Sequence, residues 1–247
     1  MRGPAPCLGE AGRTSDGGCF RYSGRELPLM ARATHWKSYV AALVRPHLGP
    51  SVLEVGAGIG SNIAYLRHPP VRAWTAVEPD AAQAAQIRAP GVRVLAGTID
   101  VIGAAERFDT ILYLDVLEHL ADDAAELRRA AAHLAPGGRL VVLAPAHRWL
   151  TSPMDAAVGH YRRYSAGELR ALTPPGCGLE VLVQIDSLGC LASLGNRLVL
   201  RQEQMTAWQL RLWDGVLVPL SRRLDRWLGF RCGRSLLAVW RCVDAAA

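Results

Sequence analysis

The sequence has almost no lysine: it carries 28 Lys and Arg residues, and Lys37 is the only one that is not arginine. With its many alanines, this skew matches the codon usage of a GC-rich genome more than a surface built for polyanions. The net charge of +6 permits an acidic substrate or an anionic surface but does not demand one. No apolar run approaches the ~20 residues that cross a bilayer. The longest candidate, 188–200, is interrupted by Asn196 and Arg197, so a span is not expected and peripheral membrane contact stays open. The six cysteines include no CxxC pair and no zinc-like spacing with histidine. No metal is expected, and the thiols read as reduced. The first residues lack the apolar stretch of a secretory signal, which points to the cytoplasm.

Half the 247 residues are apolar and a fifth are charged, the balance of a globular chain. Residues 1–28 are rich in Gly, Pro, Ser and Arg and read as a flexible N-terminal arm. Residues 29–247 form the expected domain. A helical pattern over 29–48 is followed by short apolar runs alternating with helical ones. Strands are expected at 51–55, 72–77, 92–95, 110–114, 139–144, 179–185 and 235–241, with helices at 61–67, 80–88 and 122–134. Pro136-Gly137-Gly138 marks a turn after the last of these, and Ser165 with Glu168 makes a capping box. The segment 188–229 reads as a helical insertion with Trp208, Trp213 and Trp227 among arginines. This alternation predicts an α/β fold with a seven-stranded, mostly parallel sheet flanked by helices.

The strongest local signal is VLEVGAGIGSN, residues 52–62, where a buried strand runs into a turn carrying Gly56, Gly58 and Gly60. Glycines there permit positive φ and let a ligand approach without a Cβ in the way. A dinucleotide fingerprint would need glycine at 61, where Ser61 stands. A second acid, Glu78, closes the next strand about 20 residues on, the spacing of a β-α-β unit. FDTILYLDVLEHL (108–120) and LAPGGRLVVLAP (134–145) follow in order.

Together these residues resemble the class I SAM-dependent methyltransferase family, whose Rossmann-like fold and cofactor, S-adenosyl-L-methionine (SAM), the resemblance implies. It assigns cofactor contacts to Glu54, Gly56, Ala57, Gly58, Gly60, Asn62, Glu78 and Pro79, with Glu78 on the ribose. It also assigns Asp115, Val116 and Leu117 at the fourth strand's end. The family often has an acid touching adenine after the third strand; here the run is GTID, which leaves Thr98 or the Ile99 backbone for that contact.

Ligands of such sheets lie outside the carboxyl ends of the strands. After the fifth strand comes the run 145–165, the expected acceptor-side loop. Methyl transfer from a sulfonium needs alignment, and a base when the acceptor is a poor nucleophile. His160 is the first candidate base, with Tyr161 and Asp155 as alternatives. His147, Trp149, Arg162, Arg163 and, from the arm, Tyr22 are candidate acceptor contacts. The aromatics Phe20, Tyr22, His35, Trp36 and Tyr39 suggest a lid over the cofactor or plain packing.

The expected function is methyl transfer to a small-molecule acceptor of bacterial secondary metabolism. Methylation of a lipid-linked or nucleic-acid substrate, or a non-catalytic SAM-binding role, are the alternatives. Nucleic acid is disfavoured because the fourth strand ends in LDVLEH rather than a [DNS]-P-P-[YF] loop, and because no binding module is evident.

Overall fold

The computed structural model describes residues 27–200 and 202–242. Phe20, Tyr22 and nearly all of the expected arm lie outside the described residues.

Seven strands form one sheet: β1 (Ser51–Val55), β2 (Ala73–Glu78), β3 (Val92–Ala96), β4 (Phe108–Leu114), β5 (Leu134–Pro145), β6 (Cys177–Ile185) and β7 (Ser235–Cys242), in the order β3-β2-β1-β4-β5-β7-β6. Only β7 runs against its neighbours. The chain winds outward from β1 to β3, then returns to place β4 on the other side of β1. That reversal opens a crevice at the carboxyl ends of β1 and β4.

Both faces of the sheet are buried, because successive residues of a strand point to opposite sides. Val52, Leu112 and Leu143 enter one apolar cluster with Trp36, Tyr39, Trp74 and Trp213. Leu53, Ile111 and Val142 enter the other with Tyr113, Leu127 and Leu169. Truncating any of these buried leucines to alanine would cost about 2–5 kcal/mol.

The helices are shorter than the sequence pattern predicts. The span 29–48 divides into α1 (Leu27–Met30), α2 (Thr34–Val44) and a 3-10 turn at Arg45–His47. The helices following β1 and β2 are single turns, α3 (Ile63–Leu66) and α4 (Ala81–Ala84); Asp80 starts the latter by accepting from the amides of Ala82 and Gln83. After α5 (Asp123–Ala132), Pro136-Gly137-Gly138 does not separate helix from strand. β5 already begins at Leu134 and the three residues form an irregularity within it, where its pairing with β4 slips between Phe108 and Thr110. A Cβ at Gly138 would stand 2.8 Å from the Ala135 carbonyl oxygen.

Beyond β5 come α6 (Pro153–Val158) and α7 (Ala166–Ala171), whose capping box from Ser165 and Glu168 forms in both directions. The helical insertion holds α8 (Ser187–Gly195), α9 (Ala207–Leu212) and α10 (Val218–Trp227), with π-helical turns at Asn196–Leu200 and Trp213–Leu217. Buried acids fasten it to the domain. Asp225 accepts from the Tyr39 hydroxyl at 2.7 Å and from the amides of Asp186 and Ser187. Asp214 accepts from the Trp36 amide at 2.8 Å, capping α2 from across the chain. Among the described residues, no helix is long and apolar enough to cross a membrane.

Candidate active site

The loop after β1 owes its shape to three left-handed residues, Gly56, Gly58 and Gly60, with φ of 71°, 56° and 75°. The amides of Gly56 and Ala57 both donate to the Val77 carbonyl, which ties the loop to the end of β2. At that end the Glu78 carboxylate accepts from the Gly58 amide at 2.7 Å and the Asp80 amide at 3.0 Å. Each Glu78 oxygen thereby keeps lone-pair capacity for a further donor. Burial raises its carboxyl above the ordinary value, and the two amides pull it back.

A cavity of about 640 Å³ opens beside this loop. Gly56, Ala57, Gly58, Asn62 and Glu78 line one end, Asp155, His160 and Arg163 line the other, and Asp115 and Val116 lie between them. Leu27, Leu29 and Met30 of α1 lie over it, with the Leu27 Cδ1 atom 3.2 Å from where a Gly58 Cβ would stand. Gly56 is required for a different reason: a Cβ there would fall 2.5 Å from Val116.

Beneath the loop, Glu54 is buried and is pushed up to about 7, first by burial, against a weak contact from Asn62. Lys37 reaches in from α2 and donates to Ser61 at 2.9 Å and to Asn62 at 3.2 Å. Its burial lowers the ammonium below its usual range, while Asp115 and Glu54 oppose that shift. Asp115 follows β4 in a left-handed conformation, φ 56°, with its amide bound to the Leu143 carbonyl and its side chain open to the cavity. Enclosure raises its carboxyl, and the neighbouring His160, Arg234 and Lys37 draw it down.

The far end is built on α6. Asp155 closes a capping box with Ser152 and also accepts from His160 Nδ1 and Arg163 Nε, each at 2.8 Å. Burial alone would raise Asp155, but His160, Arg163 and the Ser152 amide together hold it down at about 2. The carboxylate is therefore ionised and fixes the imidazole with Nδ1–H toward it. Nε2 is left facing Glu118, whose Oε1 lies 3.8 Å away. Glu118 is buried, neither of its oxygens has a hydrogen-bond partner among the described residues, and burial raises it well above the carboxylate range. The His119 ring stands edge-on to that of His160 at 4.8 Å and is brought down to about 3, chiefly by burial. Donor atoms of Glu118, His119 and His160 lie within 4.8 Å of one another, a grouping able to receive a cation that sequence spacing did not reveal.

Several expected contacts fall outside the cavity. Thr98 bonds to Asp100 at the surface, and Ile99 and Leu117 are core residues. Gly60 and Pro79 shape the loops without lining the cavity. His147 and Trp149 stack on each other outside it at 5.3 Å, and Tyr161 is exposed. Arg162 is occupied by Asp123 and the Ala121 carbonyl, at 2.8 and 2.7 Å. Of the aromatic group, Trp36 lines the cavity while Tyr39 is packed and bonded to Asp225. Other lining residues escaped the sequence reading: Lys37, Glu118, Arg234 and the stretch 203–205. Arg234 is positioned by Asp186 at 2.9 Å and by the Trp213 ring at 4.4 Å.

A family described as "Methyltransferase domain" matches residues 29–182. The chain belongs to this family. It is a class I SAM-dependent methyltransferase by sequence and by fold. Over 129 residues the methyltransferase is 35% identical to a protein of Parvibaculum lavamentivorans named ubiquinone biosynthesis O-methyltransferase, covering 48% of this chain and 49% of that one. Over 52 residues it is 44% identical to a protein of the same name from a Bradyrhizobium species, 21% of each chain. The chain thus spans at most about half the length of these curated relatives. Among solved structures it is similar to a SAM-dependent methyltransferase from Thermotoga maritima, with TM-score 0.55 and 19% identity, covering 88% of this chain and 92% of that one. The plantazolicin methyltransferase BpumL in complex with SAH gives TM-score 0.55 and 11% identity over 90% and 87%. At such identities the likeness is one of fold.

The cavity fits the family's cofactor. Its loop end offers glycine walls free of Cβ atoms and a buried carboxylate, Glu78, whose oxygens retain acceptor capacity for ribose hydroxyls. A volume near 640 Å³ lies within the common range for small-molecule sites, roughly 300–1,000 Å³.

Proposed function

We propose that this methyltransferase acts on a hydroxyl of a small-molecule acceptor bound at the α6 end of the cavity, with His160 as the base. The observation that carries this reading is the 2.8 Å bond between His160 Nδ1 and the ionised Asp155, which leaves Nε2 as the acceptor nitrogen inside the cavity. SAM, when bound, supplies an electrophilic methyl on a sulfonium. His160 Nε2 would take the hydroxyl proton as the acceptor oxygen is methylated. Asp155 holds the ring's orientation and favours the imidazolium that results. Glu78, Asn62 and the Gly56–Gly58 backbone would hold the cofactor at the other end, and Asp115 stands between the two.

A hydroxyl acceptor is favoured because it is the poor nucleophile for which a positioned base matters. The O-methyltransferase names of the curated relatives point the same way. A bacterial secondary metabolite remains the proposed acceptor class, and Arg163 and Arg234 give the cavity cationic groups suited to an acidic substituent. The test is release of S-adenosylhomocysteine in the presence of a panel of hydroxylated aromatic and aliphatic acids, set against matching amines. Turnover confined to the amines, or none with any acceptor while SAM binds, overturns the reading.

A further inference from the structure

The segment 187–229 lies beyond the residues that the family matches, and its outer surface is unusual. From α9 through the π turn to α10, Trp208, Leu212, Val216 and Leu220 recur every fourth residue, and all are exposed. Trp227, at the end of α10, is 82% exposed. The neighbouring strip, from α8 into the π turn, exposes Leu191, Leu198, Val199 and Leu200, and α8 packs against α10. Exposed large apolar groups on one contiguous element mark an interaction surface. Tryptophan is suited to the boundary between hydrocarbon and water.

The exposed charge on these helices and π turns has one sign. Arg197, Arg211, Arg222, Arg223 and Arg226 are exposed on the same helices. Two of the segment's three acids, Asp214 and Asp225, are buried and engaged in the bonds that fasten the insertion to the domain. The third, Glu203, is exposed but lies off these helices in the linker 202–206, where residues 203–205 line the cavity. α9 also contacts α1, which covers the cofactor end. Apolar side chains ringed by arginine, with acids withdrawn, complement a layer of acyl chains under anionic headgroups.

We propose that this face docks peripherally on an anionic phospholipid bilayer. The apolar side chains of α8, α9 and α10 would enter the headgroup region, and the arginines would pair with lipid phosphates. The docked face would then bring the cavity's 203–205 rim close to the bilayer, so that an apolar acceptor can reach the site from the membrane. This last step rests on the reading of the cavity as the methyl-transfer site; the docking itself does not.

Sedimentation of the full chain with vesicles tests it, using phosphatidylcholine alone against phosphatidylcholine with phosphatidylglycerol at 7:3. Binding at least tenfold tighter to the anionic vesicles, and weaker in high salt, is expected. The double variant Trp208→Ser/Trp227→Ser and the triple variant Arg222→Gln/Arg223→Gln/Arg226→Gln should each lower it at least tenfold with SAM affinity unchanged. Equal or absent sedimentation with both vesicle types overturns the proposal, as do variants that bind like the parent. So does a concentration-dependent dimer, dissolved by the tryptophan substitutions, that does not bind vesicles. Methyl transfer plays no part in this measurement, so a wrong acceptor assignment and a wrong docking surface give separable results.

Discussion

The Gly58 amide and the Glu78 carboxylate are joined by a 2.7 Å hydrogen bond across the carboxyl ends of β1 and β2. One acid therefore shapes the glycine loop and faces the space the loop leaves open. Removing it should act on both. Glu78→Ala is expected to weaken SAM binding by about 1.5–3 kcal/mol in calorimetric titration, and Glu78→Gln by less. Gly58→Val, a β-branched residue at φ 56° directed at Leu27, should abolish binding. Wild-type affinity in either the Ala or the Val variant removes this end of the cavity as the cofactor site.

His160→Ala should lower kcat by about 100- to 10,000-fold, the usual range for losing a general base, while SAM affinity stays near that of the parent. Asp155→Asn keeps the shape of the capping box but no longer holds a negative charge against Nδ1, so it should lower kcat by a smaller factor. A parent-like kcat in His160→Ala retires it as the base.

Arg162 bonds outward, to Asp123 and the Ala121 carbonyl, and Asp123 also accepts from the buried Tyr164 hydroxyl at 2.8 Å. Arg162→Ala should thus cost about 1–3 kcal/mol of stability in chemical denaturation and leave KM for the acceptor unchanged. A raised KM with unchanged stability would return Arg162 to the acceptor site.

Much of the loop end of the cavity was legible in the sequence because it depends on local chemistry. A buried strand, three glycines needing positive φ, and an acid at the end of the next strand specify one another at short range. Lys37 and Arg234 were not legible, since one comes from a helix before β1 and the other from the residue before β7. Only the closed sheet brings them to the cavity. The arginine pair 162–163 shows the same limit: adjacent in sequence, the two part, Arg163 turning to Asp155 and Arg162 to Asp123. The pattern over 80–88 overextends α4 because its alanines continue past the point where the chain must turn toward β3.

Glu54 gives the stability a pH signature. Its carboxyl stands at about 7 in the folded chain against an ordinary 4.5, mainly through burial. Between those values the folded chain holds the proton that the unfolded chain has released. The stability tied to this group is complete below pH 4.5 and is lost as pH rises through 7, on the order of 3 kcal/mol in all. Glu54→Gln should flatten the fall measured by urea denaturation between about pH 5 and 8, a window that brackets the folded value of about 7. An identical slope in parent and variant would show that Glu54 is already ionised at neutral pH.

The scarcity of lysine has a practical outcome. The sequence's one lysine points its amine at Ser61 and Asn62 in the wall of the cavity, and enclosure makes that amine a better nucleophile near neutrality than a solvated one. Amine-directed reagents thus have a single side-chain amine to modify in the chain, reached through the cleft that SAM would fill. Mass spectrometry of the adduct at Lys37 becomes a footprint of cleft occupancy, needing neither a known acceptor nor a labelled cofactor.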